Sequence, residues 1–323
     1  MLARERELLF ARAWQYAGHL GQLAEPGSYF TLRAGDVPLV VVRDREGELR
    51  AFVNVCRHRG AEVVSGAGSC STLQCHYHAW TYGLDGELRA APRADGDPAF
   101  DRAELGLRRA RVETWGPFVF VNADSEAGPL ADTLGELPEL VRAGGIDVDA
   151  LVFHSHAPYS LEANWKVAVE NYLECYHCAV AHPGFSDLVD VSTEAYRLER
   201  HETFASHHVR TRDGNGGGQF HMIWPSTKIN IFPGAPNVSI GPLTPTGVGR
   251  TDGFLDYFFL ADADPAEMAE LIELDDEVGA EDRVLVESVQ RGMRARAFEH
   301  GRLMLPSEEL IADFQRWVAA GLA

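Results

Sequence analysis

The chain has 323 residues, of which 46% are hydrophobic and 24% charged, and a formal net charge of −19. That composition is a globular protein's, with room for one large domain or two ordinary ones. Its acidity argues against nucleic acid, and no apolar run reaches membrane-span length. The opening Met1-Leu-Ala-Arg-Glu-Arg-Glu lacks an apolar signal core, which predicts a cytoplasmic location.

Residues 3–15 have the periodicity of an amphipathic helix. From residue 28 the texture turns β-branched and aromatic, in runs such as Val37-Pro-Leu-Val-Val-Val, punctuated by turn residues at Gly35-Asp36 and Glu46-Gly47. This predicts a small all-β domain over residues 28–124. Residues 1–27 and 125–323 then form a second, α+β domain. Within it, 125–150 read as a connecting helix with loops. Residues 164–181 read as a helix capped by Asn164, 195–260 as strands, and 265–298 and 307–320 as helices.

The β domain carries Cys56-Arg-His58 and, after sixteen residues, Cys75-His-Tyr-His78. Two thiolates and two imidazoles can hold a [2Fe–2S] cluster, with the cysteines on one iron and the histidines on the other. Neutral histidine ligands lift the potential to roughly −150 to +300 mV. A zinc site is the competing reading. Zinc modules pair Cys with Cys and His with His, whereas each half here mixes the two. Five cysteines without an export signal fit metal ligation plus spare thiols, Cys70 among the latter. Arg57 and Arg59 either attract an acidic electron donor or are solvated loop charges.

The second motif is Glu174-Cys-Tyr-His177-Cys-Ala-Val-Ala-His182. Two histidines and a carboxylate can hold one Fe(II) with positions open for O2. Five helical residues turn through about 500°, leaving His177 and His182 about 140° apart. Pro183 disfavours helix at the residue before it, so His182 is expected at a helix end, free to turn to the metal. Asp275, Asp276, Glu281 and Asp282 all compete to be the distant carboxylate. Glu174, one turn before His177, can orient that imidazole through its second nitrogen. Cys175 and Cys178 are expected to be packing thiols rather than a disulfide. Phe220, Trp224, Phe232 and Tyr257 are the aromatic candidates for a substrate pocket, with His208 and its neighbours His201, His207 and His221.

Cys56-Arg-His58-Arg-Gly, Cys75-His-Tyr-His78-Ala-Trp-Thr-Tyr-Gly-Leu-Asp-Gly, Asn164-Trp-Lys-Val-Ala-Val-Glu-Asn-Tyr-Leu-Glu-Cys-Tyr-His177 and Glu281-Asp-Arg-Val-Leu-Val-Glu-Ser-Val-Gln-Arg-Gly292 together resemble the oxygenase (alpha) subunits of Rieske non-heme iron oxygenases over essentially the whole chain. The resemblance implies a Rieske β domain and a helix-grip catalytic domain, whose antiparallel sheet wraps a long C-terminal helix. It implies Asp282 as the third iron ligand beside His177 and His182. It also implies a homotrimer or a pair of stacked trimers, in which the cluster of one subunit feeds the iron of its neighbour through a carboxylate linking His78 and His177. That carboxylate is Glu174, where most ring-hydroxylating members carry Asp. Glu174 with His182-Pro-Gly-Phe185 looks like the branch acting on choline, glycine betaine, carnitine and stachydrine. The expected reaction is hydroxylation or N-demethylation of a quaternary ammonium or N-methyl compound. Hydroxylation of an aromatic or other hydrophobic ring is the alternative. No GxGxxG fingerprint is present, so NAD(P)H electrons are expected from a separate reductase or ferredoxin.

Overall fold

The computed structural model describes residues 1–295 and 297–323. The chain divides into two compact units, one of Glu5–Leu130 and one of Met1–Arg4 with Ala131–Ala323.

The first unit is built on strands β1 (Gln15–His19), β2 (Ser28–Ala34), β3 (Val37–Arg43), β4 (Leu49–Val53), β5 (Ala67–Ser69), β6 (Leu73–Gln74), β7 (Thr81–Tyr82), β8 (Leu88–Ala90), β9 (Arg109–Trp115) and β10 (Phe118–Asn122). Seven of them form an antiparallel sheet in the order β1-β10-β9-β4-β3-β2-β5, and β6-β7-β8 form a second, three-stranded sheet. The run of valines in β3 has a simple cause. Successive strand side chains point to opposite faces, and both faces here are covered. Leu39 and Val41 enter one core, Val40 and Val42 the other. The second core also takes in Cys56 and Cys75.

Two expectations are corrected in this unit. Residues 5–27 belong to it, because β1 pairs with β10 from Gln15↔Val121 to His19↔Phe118. The amphipathic pattern over 3–15 gives only α1 (Leu2–Glu5) and a π-helical turn (Arg6–Phe10). The Gln15 carboxamide donates to the Phe10 carbonyl and ends the turn. The strand that follows draws the chain out of helix.

The second unit opens with α2 (Leu130–Leu134) and α3 (Leu137–Ala143), then β11 (Leu151–Leu161), α4 (Trp165–Tyr172), α5 (Cys178–Ala181) and α6 (Pro183–Leu188). Strands β12 (Arg197–Arg200), β13 (Phe204–Arg210), β14 (Gly217–Ile223), β15 (Thr227–Ile231), β16 (Asn237–Gly247) and β17 (Arg250–Leu260) follow, then α7 (Pro265–Arg294) and α8 (Glu309–Gly321). Its seven strands form one antiparallel sheet, β11-β17-β16-β15-β14-β13-β12. Helix α7 is about 45 Å long. It lays Leu271, Leu274 and Val278 against Phe220 and Leu255 of the sheet and Phe232 just past β15. No helix among the described residues is long and apolar enough to cross a membrane.

The expected helix over 164–181 is interrupted. Asn164 caps α4 as anticipated, accepting from Lys166 N–H at 3.1 Å. The helix then stops at Tyr172. The Glu174 carboxylate turns back to accept the backbone N–H groups of Tyr176 and His177. A side chain that satisfies nearby backbone donors offers the chain a turn in place of further helix.

Candidate metal centres and active-site cavity

The two cysteine–histidine loops share one construction. Cys56 N–H bonds Ala61 O at 2.8 Å and Gly60 N–H returns to Cys56 O at 3.0 Å; Cys75 N–H bonds Trp80 O at 2.8 Å and Ala79 N–H returns to Cys75 O at 3.0 Å. The fifth residue of each loop is left-handed, Gly60 at φ 75° and Ala79 at φ 55°. Glycine takes that conformation freely, whereas alanine is strained. Cys56 and Cys75 are buried while His58 and His78 face outward. The two imidazoles meet edge to face with centroids 4.5 Å apart, and His58 stacks on Trp80 at 5.0 Å. Desolvation and the positive neighbours His58 and Arg59 press the His78 pKa below its ordinary value. That favours the neutral, ligating form. Tyr82 accepts Arg57 N–H at 3.0 Å, and its hydroxyl lies 3.3 Å from Cys56 Sγ, placed to donate to that sulfur as a thiolate. The donor set fits a cluster, with two thiols seated in the core and two imidazoles at its edge. Arg57 also reaches Gly106 O at 3.0 Å, and Arg59 covers the Tyr77 ring at 5.5 Å, so both have structural employment.

In the second unit His177 is the residue before α5 and His182 the residue between α5 and α6. Freed from helical phase, their Nε2 atoms approach to 3.0 Å. Asp282 Oδ1 lies 3.4 Å from His177 Nε2 and 3.2 Å from His182 Nε2. The three donors thus converge on one point. Each imidazole is aimed by a carboxylate on its other nitrogen. Glu174 Oε1 takes His177 Nδ1, and Glu281 Oε2 takes His182 Nδ1 at 2.7 Å. Such pairs fix tautomer and ring orientation at metal sites. Asn171 Nδ2 donates to Asp282 Oδ1 at 2.7 Å. Burial pulls the His177 pKa down, but the hydrogen bonds of Asp282 and Glu174 outweigh it and carry it up to about 9. Against burial, the two histidines hold the Asp282 carboxyl well below its usual range. Three carboxylates around two imidazoles therefore favour positive charge where the donors meet. His177, His182 and Asp282 fit a mononuclear iron with open positions.

Cys178 is close to both histidines, but its sulfur is bonded to Cys175, so Asp282 is the better third donor. This disulfide corrects the expectation of two free packing thiols. The turn around Glu174 brings the two Cα atoms to 4.9 Å, inside the range a disulfide spans. Of the other acids considered, Glu281 is taken by His182 and Asp275 by Ser239 Oγ at 2.7 Å. Asp276 lines the cavity beside them.

That cavity, of about 310 Å³, has Asp282 in its wall. Phe220 and Phe232 line it, together with Tyr159, Tyr172 and Lys228, which the sequence did not single out. The remaining pocket candidates lie elsewhere. Trp224 packs on Phe314 and Trp317 at 6.1 Å, and Tyr257 is buried with Leu255 and Phe259. The four histidines are engaged by polar partners instead. His208 meets Glu199 at 3.3 Å, His201 Glu136 at 2.6 Å, His207 Tyr196 at 3.0 Å and His221 Ser206 at 2.7 Å.

Residues 13–108 match the family model of the Rieske [2Fe-2S] domain, and residues 148–217 and 208–323 that of the ring hydroxylating alpha subunit (catalytic domain). The carnitine monooxygenase oxygenase subunit of Acinetobacter pittii is 35% identical, over 98% of this chain and 90% of that protein. The chloroplastic choline monooxygenase of Beta vulgaris is 34% identical, over 98% of this chain and 73% of that protein. The crystal structure of the quaternary ammonium Rieske monooxygenase CntA in complex with substrate L-carnitine superposes with a TM-score of 0.87 at 35% identity, covering 99% of this chain and 92% of that one. The two metal-ligand sets, the fold and these likenesses agree, and the chain belongs to the oxygenase (alpha) subunits of the Rieske non-heme iron oxygenases, oxidoreductases that work with a [2Fe–2S] cluster, a mononuclear iron and O2.

Proposed function

We propose that this chain is the terminal oxygenase of a system that hydroxylates or N-demethylates a quaternary ammonium compound. The observation that carries this reading is the cavity itself. Asp282 lies in its wall together with the rings of Phe220 and Phe232 and the carboxylate of Asp276. Aromatic faces and carboxylates are what a methylated ammonium selects. Relatives named for carnitine and choline support the same class.

Cys56, His58, Cys75 and His78 would hold the cluster, and His177, His182 and Asp282 the mononuclear iron. The cluster delivers single electrons, and the iron, when bound, activates O2. The protein's own part is placement. Glu174 and Glu281 keep both imidazoles aimed, and Asn171 steadies the Asp282 carboxylate. The aromatic walls exclude water and hold a methyl group toward the ligand set. In the demethylation branch one methyl C–H becomes C–OH, using O2, two electrons and two protons and releasing water. The hemiaminal then parts into formaldehyde, a proton and the tertiary amine.

Electrons come from a separate NAD(P)H-dependent reductase or ferredoxin. Glu174 is also the residue we assign to inter-subunit transfer in a trimer, or a pair of trimers, linking His177 to His78 of a neighbouring copy. Its carboxylate has lone pairs left beyond those used within the chain. A related structure is described by its inter-subunit electron transfer.

The test is a single turnover. Chemically reduced protein with both metal centres shown to be loaded is mixed with O2 and glycine betaine, choline, carnitine or stachydrine. Formaldehyde or another oxidised fragment in proportion to reduced sites is expected. No product from any of them, with aromatic substrates oxidised instead, would overturn the substrate class.

A further inference from the structure

Lys228 is one of only two lysines in the chain, the other being Lys166. It sits on β15 and lines the same cavity as Asp282. Its ammonium lies 5.2 Å from the centre of the Tyr159 ring and 5.5 Å from that of Tyr172. Both rings are held there. Tyr172 Oη donates to Asn230 Oδ1 at 2.8 Å. Tyr159 lies across β17 at Gly253, its partner in register, where an added Cβ would come within 2.5 Å of the ring. The Tyr159 hydroxyl faces the Lys228 ammonium and has no other hydrogen-bond partner among the described residues.

The ammonium is therefore caged by two π faces, with no carboxylate in contact. Among the described residues Lys228 forms no ion pair within 4.0 Å. Asp275, which also lines the cavity, directs its carboxylate to Ser239 Oγ at 2.7 Å. Enclosure lowers the lysine's proton affinity, but Tyr159, Asp275 and Asp282 outweigh it, so the side chain stays charged. A confined cation without a contacting anion is costly unless a partner arrives. The neighbouring cavity is where such a partner would come from.

We propose that Lys228 receives a carboxylate of the substrate, with the Tyr159 hydroxyl as a second donor. For its cationic half this rests on the quaternary ammonium reading above. The substrate is then a zwitterion, with its methylated nitrogen at the Asp282 end and its carboxylate at Lys228. A compound carrying only the cation, such as choline, meets like charge there and is discriminated against.

Three probes separate the halves. γ-Butyrobetaine carries both charges, 5,5-dimethylhexanoate is its shape with the nitrogen replaced by carbon, and choline has the ammonium alone. Binding to the iron-loaded holoenzyme is measured by calorimetry, and γ-butyrobetaine oxidation by single turnover. The proteins compared are the wild type, Lys228→Met and Lys228→Arg, with the cluster spectrum as the check on folding. Loss of a charge-assisted hydrogen bond predicts that Lys228→Met weakens both carboxylates roughly 10- to 100-fold and does not weaken choline. Lys228→Arg should retain most of the affinity. If γ-butyrobetaine is oxidised and its affinity is unchanged in Lys228→Met, the carboxylate site is wrong and the quaternary ammonium reading stands. If 5,5-dimethylhexanoate binds through Lys228 while no ammonium compound is oxidised, the carboxylate site stands and that reading falls. Failure of both carboxylates to bind the wild type overturns the carboxylate site outright.

Discussion

At the scale of single residues, most of the machinery is a matter of second contacts. The residues we assign to the cluster were legible because their spacing is local, and two short loops with one shared construction carry all four. Tyr82 was not legible, because its partner Cys56 lies 26 residues earlier and meets it only through the fold. A hydroxyl donating to a cluster sulfur favours the reduced, more negative state, as do other hydrogen bonds to cluster sulfurs. Tyr82→Phe should therefore lower the cluster potential. A hydrogen bond of about 1 kcal/mol corresponds to about 40 mV for one electron. Redox titration of the cluster spectrum checks this, and an unchanged potential would refute the Tyr82 contact. The disulfide between Cys175 and Cys178 was missed for the same reason as Tyr82. Their spacing along an uninterrupted helix argues for packing thiols, and it is Glu174 that breaks the helix.

At the scale of elements, α7 shows what a helical pattern can hide. Leu271, Asp275, Val278, Asp282, Val286 and Gln290 recur every three or four residues, the spacing of one helix face. Two acids on a stripe that also carries Leu271, Val278 and Val286 were the available signal for Asp282, which the resemblance, rather than the spacing, selected. Helix α4 depends on its first residue more than its length indicates. Besides capping the helix, Asn164 donates through Nδ2 to Val248 O at 2.6 Å, and its N–H is accepted by Gln290 Oε1 at 2.7 Å. It therefore ties α4 to the β16–β17 turn and to α7, the helices that supply Asn171 and Asp282. Asn164→Ala should cost about 1–2 kcal/mol. For a unit of this size that lowers the melting temperature by roughly 2–8 °C. Calorimetry resolving the two units should place the loss in the second. An unchanged transition there would show that the cap is dispensable.

At the scale of the molecule, the sequence conveyed two domains and their order, but set their boundary wrongly. A strand such as Gln15–His19 declares its allegiance only through a partner a hundred residues away, Phe118–Asn122. The assembly proposed above makes a sharp demand. Protein bearing Cys75→Ser keeps the mononuclear iron but has no working cluster, and protein bearing Asp282→Ala keeps its cluster and loses that iron. Each should be inactive alone. If electrons cross between subunits, unfolding or dissociating the two together and reassembling them should recover part of the wild-type turnover. No recovery in the mixture, with wild-type protein regaining its turnover after the same treatment, would rule out the crossing.

Gly253 bears on how this enzyme's preferences can change over generations. It lines no part of the cavity, yet the Tyr159 ring lies where its side chain would be. A lineage that places a side chain at 253 must displace that ring or lose it, and with it one face of the cage around Lys228. What the cavity accepts can therefore drift through position 253, outside the wall, as well as through position 159 within it.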